Sequence, residues 1–242
     1  MKFYSITETG KVRSENQDCL FTTDQKIGPL KNLFLVADGM GGHKAGEYAS
    51  ECAVKTVVES VRNSDRTEPV AVIERAISDA NERVYMESKA DPEKYGMGTT
   101  MVAATFFDGH MYVANVGDSR LYVITENEIR QITQDHSYVG ELVRRGTISE
   151  SAARNHAKRH YITRAVGTES KVRTDFFDVV MDGSAHVLLC TDGLTNMVTD
   201  TVIKQIVSAK AEPYDKVKAL LREANENGGR DNITIVLIEK ED

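Results

Sequence analysis

The sequence predicts an α+β fold in which two antiparallel β-sheets are covered by helices on their outer sides. Two amphipathic helical segments, at about 44–62 and 69–89, separate the early strands from a run of turn-linked strands. Strands joined by tight turns form antiparallel meanders, not parallel sheets. Helices near 199–208 and 213–226 then precede a last strand at 233–239. Sheets with helices packed outside them account for this order of elements.

The predicted strands are short and bounded by turn residues. The first two lie at 2–8 and 19–23, and the apolar run Leu33 to Ala37 has the composition of a strand buried on both faces. Asp108-Gly109 and Glu126-Asn127 supply the turns of the meander. The remaining predicted strands are 99–107, 111–116, 120–125, 128–132, 172–180 and 186–191.

Each of the two long helices carries one apolar stripe, which predicts that it packs on a sheet. Pro69 suits the first turn of the second helix. The stripes are formed by Ala49, Ala53, Val57 and Val61 and by Ile73, Ile77, Ala80 and Val84. Residues 135–167 are polar and helical in character, and Gly146 is placed to end a helix. We interpret this segment as an insertion near the functional site, able to act as a lid or a substrate-docking segment.

Length and composition indicate one domain over residues 1–242, because the chain has only four prolines and no Gly/Ser-rich linker. The net charge of −7 argues against nucleic acid as a partner. Since we find no signal peptide and no membrane span in the sequence, we expect a cytoplasmic protein with no membrane partner. We also expect it to be a monomer. Cys19, Cys52 and Cys190 lack Cys-x-x-Cys spacing, so neither a disulfide framework nor a zinc site is indicated.

The predicted strand Leu33 to Ala37 ends at an aspartate, Asp38. Gly39 and two further glycines follow it. A buried carboxylate needs a cation or hydrogen-bond donors, and glycines let the backbone approach closely. Taken alone, Asp-Gly is equally well explained as a strand-ending turn. However, the arrangement recurs at Asp118 and Asp192, and Asp231 precedes the last strand. Four strand-edge carboxylates suit hard cations such as Mg²⁺ or Mn²⁺.

Such a cluster can hold two cations bridged by a water, and the lowered pKa of that water makes it a nucleophile towards phosphorus. Other phosphate chemistries lack their residues. No cysteine has an arginine six positions later, Met40 stands where a phospho-aspartate enzyme needs its second aspartate, and no serine elbow or Walker loop occurs. His156 and His160 are four apart, but Ala157 replaces the glutamate of the zincin pattern, which argues against a metal role.

Arg13 lies in a polar connection, residues 9–18, between the first two predicted strands. A solvated surface position is the default for a lone arginine. If this connection faces Asp38, the guanidinium group is suited to bind a phosphate at two points beside the metals.

Six motifs in order cover nearly the whole chain. They are Arg13 to Asp18, Ala37 to His43, Gly96 to Thr100, Gly117 to Arg120, Thr191 to Leu194, and Arg230 to Thr234. Together they resemble the motif set of the type 2C, metal-dependent serine/threonine protein phosphatases, in the compact bacterial form. The resemblance implies a four-layer sandwich, with two central antiparallel sheets and helices on both outer faces.

The resemblance also implies a ligand set. Asp38 bridges two catalytic Mn²⁺ or Mg²⁺ ions, Asp192 and Asp231 complete the first ion, and the Gly39 carbonyl serves the second. Asp118, together with Asp192, holds a third and weaker ion.

The same resemblance implies that Arg13 clamps the substrate phosphate and that Asp18 orients metal-bound waters from outside the ligand shell. Residues 135–167 are similar to the family's flap, which adjoins the third metal and influences substrate choice. The sequence departs from animal members at Met40, where those carry a histidine proposed as the general acid. A metal-bound water is then the candidate general acid. His43 lies nearby in the sequence, but a role in loop packing explains it equally well.

Our first hypothesis is therefore hydrolysis of phosphoserine and phosphothreonine in cytosolic proteins, by direct attack of a water bridging two metal ions, opposing a serine/threonine kinase. A phosphatase devoted to one regulatory protein is an alternative, although such enzymes usually carry an additional sensor domain. A catalytically dead binding module is a third, and loss of a metal aspartate would mark it.

Overall fold

The computed structural model describes residues 1–42, 44–181, 183 and 185–239. His43 lies outside the described residues. The strands are β1 (Lys2–Glu8), β2 (Asp18–Thr23), β3 (Leu33–Met40), β4 (Gly98–Thr99), β5 (Met101–Phe107), β6 (His110–Val116), β7 (Arg120–Ile124), β8 (Ile129–Gln131), β9 (Asp175–Val180), β10 (His186–Cys190) and β11 (Ile233–Glu239). The helices are α1 (Ala45–Arg62), α2 (Pro69–Ala90), α3 (Tyr138–Arg144), α4 (Glu150–Arg154), α5 (Asp192–Thr195), α6 (Asp200–Val207) and α7 (Pro213–Glu226).

The strands form two antiparallel sheets. One has the order β1-β11-β10-β7-β8 and the other β2-β3-β5-β6-β9, with β4 paired to β3 off this path. The pairings among the described strands are all antiparallel. This is the arrangement that the turn-linked meander predicted.

Three apolar layers hold the sandwich together, and β3 shows how one strand serves two of them. Leu33 and Leu35 lie in the cluster formed with α1 and α2, whereas Phe34 and Val36 lie between the two sheets. Successive side chains of a strand point to opposite faces, so a continuous apolar run supplies both layers. Helices α5, α6 and α7 cover the other sheet. The predicted four-layer α+β sandwich is confirmed.

Residues 135–167 differ from the helical segment that we expected. They contain only the short helices α3 and α4, and their ends are extended: Ser137 pairs with Ile162, and Val166 pairs with Thr99. Gly146 follows α3 with a φ of +68° and donates its N–H to the Val143 carbonyl, so it ends that helix as predicted. Backbone pairing, and not a long apolar stripe, therefore organises this segment. We call residues 135–167 the flap.

Two elements were not anticipated, α5 and β4, because four and two residues are too few to show a periodic pattern. The strand predicted at 172–180 begins only at Asp175. None of the described helices is long and apolar enough to cross a membrane.

Phe34 tests the layer between the sheets. Its side chain is fully buried and makes edge-to-face contacts with Phe3 and Phe106, with ring centroids 5.3 Å and 6.1 Å apart. We expect Phe34→Ala to lower the free energy of unfolding by about 3–5 kcal/mol, because it leaves a cavity that the sheets cannot close. Urea unfolding in EDTA measures this loss, and Phe34→Leu, which retains most of the volume, should lose clearly less. A loss below about 1 kcal/mol for the alanine variant would contradict this packing.

Candidate active site

The candidate site lies at one end of the sandwich, where two strands place carboxylates side by side. Asp18 of β2 and Asp38 of β3 are partners in the antiparallel register of these strands. We expected β3 to end at Asp38, but it continues to Met40 because its last two residues pair with β4. Asp38 is therefore held within a strand instead of at the start of a loop, and a strand fixes its direction more firmly.

The backbone around Asp38 is fixed by two threonines of the Gly-Met-Gly-Thr-Thr motif. Thr100 accepts the Asp38 N–H on its hydroxyl at 2.8 Å and returns its own N–H to the Asp38 carbonyl at 2.9 Å. The hydroxyl of Thr99 donates to the same carbonyl at 2.9 Å. Thr100 also shares a hydrogen bond of 2.7 Å with Ser119, which follows Asp118. The motif thus ties the positions of two predicted ligands together.

The glycine after Asp38 and those of the Gly-Met-Gly-Thr-Thr motif have two different structural roles. A Cβ at Gly39 would lie 2.0 Å from the carbonyl oxygen of Gly46 in α1, and one at Gly98 would lie 2.7 Å from Cγ2 of Thr168, so both allow close approach. Gly96, in contrast, has a φ of +76° and open space around it, which makes it a turn glycine.

The neighbouring strands β10 and β11 bring the remaining aspartates to the same end. Asp192 begins α5 directly after β10, and Asp231 stands two residues before β11. A Cβ at Gly193 would lie 1.9 Å from the carbonyl oxygen of Asn232, so the two segments touch backbone to backbone. Asp118 joins them from the turn between β6 and β7. Residues far apart in sequence therefore share one cleft.

Asp18 is the most deeply buried of these carboxylates, and it lies beside Asp38 in the strand register. Its Oδ2 accepts hydrogen bonds from the hydroxyls of Thr191 at 2.8 Å and Thr234 at 2.6 Å. Its Oδ1 is buried and has no hydrogen-bond partner among the described residues. No local sequence pattern marked these threonines for this role, although both belong to the six motifs.

Asn232 was likewise not assigned a role. Its side-chain amide donates to the carbonyls of Thr9 at 3.0 Å and Glu15 at 2.8 Å, and its Oδ1 accepts the N–H of Gln17 at 2.8 Å. Because Asn232 follows Asp231, it fastens the connection that carries Arg13 to the carboxylate cluster.

The carboxylates repel one another. Burial raises the pKa of Asp38 and of Asp118 well above the ordinary range, and the pKa of Asp192 is raised for the same reason, with neighbouring carboxylates adding to each shift. Burial also raises the pKa of Asp18 to about 7, against the effect of its two threonine donors. A cation would reverse this balance, because opposite charge favours the ionised form.

The donor set fits a hard divalent cation. Every predicted ligand offers oxygen, and Mg²⁺ or Mn²⁺ completes its shell with water, so each ion needs few protein atoms. As the described side chains stand, no three histidine, cysteine, aspartate or glutamate groups converge on a single metal position. Two candidates have other partners, since Asp231 accepts from Arg13 at 2.9 Å and Asp192 accepts from Asn196 at 2.8 Å. Two features still favour a cation: the repulsion among the carboxylates, and the buried Oδ1 of Asp18, which has no hydrogen-bond partner among the described residues.

Arg13 stands at the mouth of the cluster. Its side chain is 53% exposed, and its Nη2 donates to Oδ2 of Asp231. This hydrogen bond raises the pKa of the guanidinium group further, and the charges of Asp38 and Asp192 add to the effect. The connection therefore faces Asp38, the condition under which we predicted a phosphate-binding role.

The flap closes one side of a cavity of about 560 Å³ beside the cluster. Asp118 and Asp192 line it from the cluster, while Val139, Ala153 and Arg159 line it from the flap. His160 is near enough to Asp192 to oppose the rise of its pKa. His156 contacts the Tyr138 ring instead, at 5.8 Å between centroids, so the two flap histidines do not act as a pair.

Comparison with known proteins identifies the family. The model of the family described as Protein phosphatase 2C matches residues 10–227, and the chain belongs to that family. It is a metal-binding hydrolase, a protein serine/threonine phosphatase. The compact bacterial resemblance drawn from the six motifs is confirmed.

Two relatives are similar over almost their whole length. The serine/threonine phosphatase stp of Listeria monocytogenes serotype 4b is 38% identical over 239 residues, covering 97% of this chain and 94% of the relative. The protein phosphatase PhpP of Streptococcus pneumoniae serotype 2 is 34% identical over 251 residues, covering 98% and 97%.

Solved structures agree in fold. The serine/threonine phosphatase Stp1 from Staphylococcus aureus matches with a TM-score of 0.93 and 34% identity, covering 100% of this chain and 95% of that one. The catalytic domain of the phosphatase PstP in complex with two manganese ions matches with a TM-score of 0.83 and 28% identity, covering 98% and 96%.

The repulsion among the carboxylates predicts an inverse effect of Asp38→Asn on stability. A raised folded-state pKa means that ionisation destabilises the fold, so stability in EDTA falls as pH rises above the ordinary aspartate pKa of about 4. We expect Asp38→Asn to melt above the wild type in EDTA at pH 8, by about 2–4 °C for each kcal/mol of repulsion removed. The difference in melting temperature between variant and wild type should be smaller at pH 5. Mn²⁺ should raise the melting temperature of the wild type more than that of the variant.

Differential scanning calorimetry at the two pH values measures this effect. The turn residue Asp108, whose side chain is 70% exposed, provides the control Asp108→Asn, which removes only an exposed ion pair with Lys31 and should change both melting temperatures little. An Asp38→Asn variant that melts below the wild type in EDTA at pH 8 would rule out the repulsion.

Proposed function

We propose that this protein hydrolyses phosphoserine and phosphothreonine esters in cytoplasmic proteins with the help of two divalent metal ions, Mn²⁺ or Mg²⁺, and so opposes a serine/threonine kinase. The observation that carries the proposal is the group of buried, mutually repelling aspartates with an arginine at its mouth. Membership of the phosphatase family and the two manganese ions of the PstP structure support it.

In this proposal each aspartate has the role that the motif resemblance implied. Asp38 would contribute to both ions, Asp192 and Asp231 to the first, and the Gly39 carbonyl to the second. Asp118, with Asp192, would hold a third and weaker ion. When bound, the ions supply charge neutralisation for the phosphoryl group and a water nucleophile at neutral pH.

The residues of the chain then bind the substrate phosphate, orient the waters and accommodate the rest of the substrate. Arg13, hydrogen-bonded to Asp231 and partly exposed, is able to exchange this partner for two phosphate oxygens and so place the phosphorus over the cluster. Asp18 is fixed by two threonine hydroxyls, and its buried Oδ1 has no hydrogen-bond partner among the described residues, so it would be available to orient metal-bound waters. The cavity under the flap accepts the residues that flank the phosphorylated side chain.

A protein nucleophile is not needed, and the cysteines are unsuited to be one. Burial raises the pKa of Cys19 to about 11 and also raises those of Cys52 and Cys190, so all three thiols stay protonated at neutral pH. Met40 has no proton to donate, so the leaving group must be protonated by another group.

Phosphate release from a phosphothreonine peptide tests the proposal. We expect activity to disappear with EDTA, to return with Mn²⁺ or Mg²⁺, and to be much lower on the matching phosphotyrosine peptide. Asp231→Asn and Asp38→Asn should each lower turnover about a hundredfold, because removal of one ligand disassembles the site. The matched control, Asp108→Asn, should retain full activity.

Near-normal turnover in either site variant would refute the assignment of ligands. A folded protein that binds Mn²⁺ but releases no phosphate under any condition would identify a binding module instead of an enzyme.

Arg13 is expected to contribute to substrate binding more than to the chemical step. Arg13→Ala should raise KM for the phosphopeptide about tenfold, since a charge-assisted, two-point contact with the phosphate is lost. Arg13→Lys should recover part of this loss, because it restores the charge without the fork. Steady-state kinetics measures both, with the exposed Arg222→Ala as control. An unchanged KM for Arg13→Ala would leave Arg13 as a surface residue that only pairs with Asp231.

A further inference from the structure

His136 stands at the start of the flap with both ring nitrogens engaged. Its side chain is only 3% exposed. The N–H of Gly117, the residue before Asp118, donates to Nδ1 at 3.0 Å. On the other side Nε2 lies 3.1 Å from Oδ2 of Asp175, the first residue of β9, and 3.0 Å from Nη1 of Arg164.

These contacts define the tautomer. Since Nδ1 accepts a backbone N–H, it carries no proton, so in the neutral ring Nε2 is protonated and donates to Asp175. Nη1 of Arg164 then packs beside Nε2 without a hydrogen bond to it. Arg164 secures the carboxylate, with Nη1 2.7 Å from Oδ1 of Asp175. Burial lowers the pKa of His136, and Arg164 reinforces this shift against the opposing effect of Asp175. The imidazole is therefore neutral at pH 7.

The backbone of His136 adds two further bonds. Its N–H donates to the Gly117 carbonyl at 2.9 Å, and its carbonyl accepts the N–H of Thr163, near the end of the flap, at 2.7 Å. One residue thus joins the turn that carries Asp118 to both ends of the flap. Gly117 itself has a φ of +106°, and a Cβ there would lie 2.6 Å from Cγ2 of Thr100, so this turn has little room to rearrange.

We infer that His136 is a positioning residue for Asp118, acting through the hydrogen bond from Gly117 to Nδ1 and anchored by Asp175 through Nε2. The inference rests on the proposed role of Asp118 as a ligand of the third ion, and it adds how the base of the flap reaches that ligand. Within the described part of the chain, two other histidines pair with carboxylates, His110 with Asp178 and His186 with Glu239, and neither pair hydrogen-bonds to this turn.

Two substitutions distinguish the roles of the two ring nitrogens of His136. His136→Asn keeps an oxygen where Nδ1 accepts the Gly117 N–H but cannot reach Asp175. His136→Gln keeps a donor near the position of Nε2 but removes the acceptor for Gly117. His110→Gln, at a half-exposed histidine paired to Asp178 at 2.6 Å, is the control.

The first measurement needs no metal. In EDTA, we expect amide exchange of Gly117, followed by NMR, to be about tenfold faster in His136→Gln than in the wild type, and to be little changed in His136→Asn and His110→Gln. Imidazole ¹⁵N shifts of the wild type should report a protonated Nε2. Equal Gly117 exchange in His136→Gln and the wild type, or a proton on Nδ1, would overturn the inference.

The second measurement is Mn²⁺ binding by calorimetry. If Asp118 is a ligand, Asp118→Asn removes the weakest site, and His136→Gln weakens it about tenfold while His136→Asn stays within about threefold. Equal affinity of the weakest site in His136→Gln and His136→Asn would contradict a role through Gly117. If Asp118→Asn binds Mn²⁺ as the wild type does, the proposed role of Asp118 fails, and Gly117 exchange alone decides on His136.

Discussion

The collection of buried and half-buried carboxylates at one end of a β-sandwich is the constraint on which the rest of this structure depends. Asp18, Asp38, Asp118 and Asp192 all have raised pKa values, each mainly because burial removes the water that would stabilise a charge. A fold does not collect such groups without a compensating interaction. The sandwich tolerates the cluster because its three apolar layers provide the stability elsewhere, and the cluster can then serve divalent cations.

Repelling groups stay together only if their backbones are held, and neutral side chains do this. Thr99 and Thr100 fix the Asp38 backbone, and Asn232 fastens the connection that carries Arg13 to Asp231. Thr191 and Thr234 bind Asp18 directly. Hydroxyl and amide groups suit this task because they satisfy buried polar atoms without adding charge. The motifs of the family therefore contain as many supporting residues as candidate ligands.

The flap is connected to the same framework at both ends. Val166 pairs with Thr99, whose hydroxyl holds the Asp38 carbonyl, and His136 joins Thr163 to Gly117. A few hydrogen bonds therefore connect the flap to the backbone that carries the carboxylate cluster.

The sequence by itself determined the α+β class, the sandwich order, the two long helices and the strand-edge aspartates, because apolar periodicity and turn residues are local signals. It did not determine that β3 runs on to Met40, since that depends on β4, which has two residues. Only the tertiary structure decided that Arg13 faces Asp231, that Asp18 is buried beside Asp38, and that His136 reaches Gly117. These contacts join residues 19 to 218 positions apart, and no local pattern encodes such pairings.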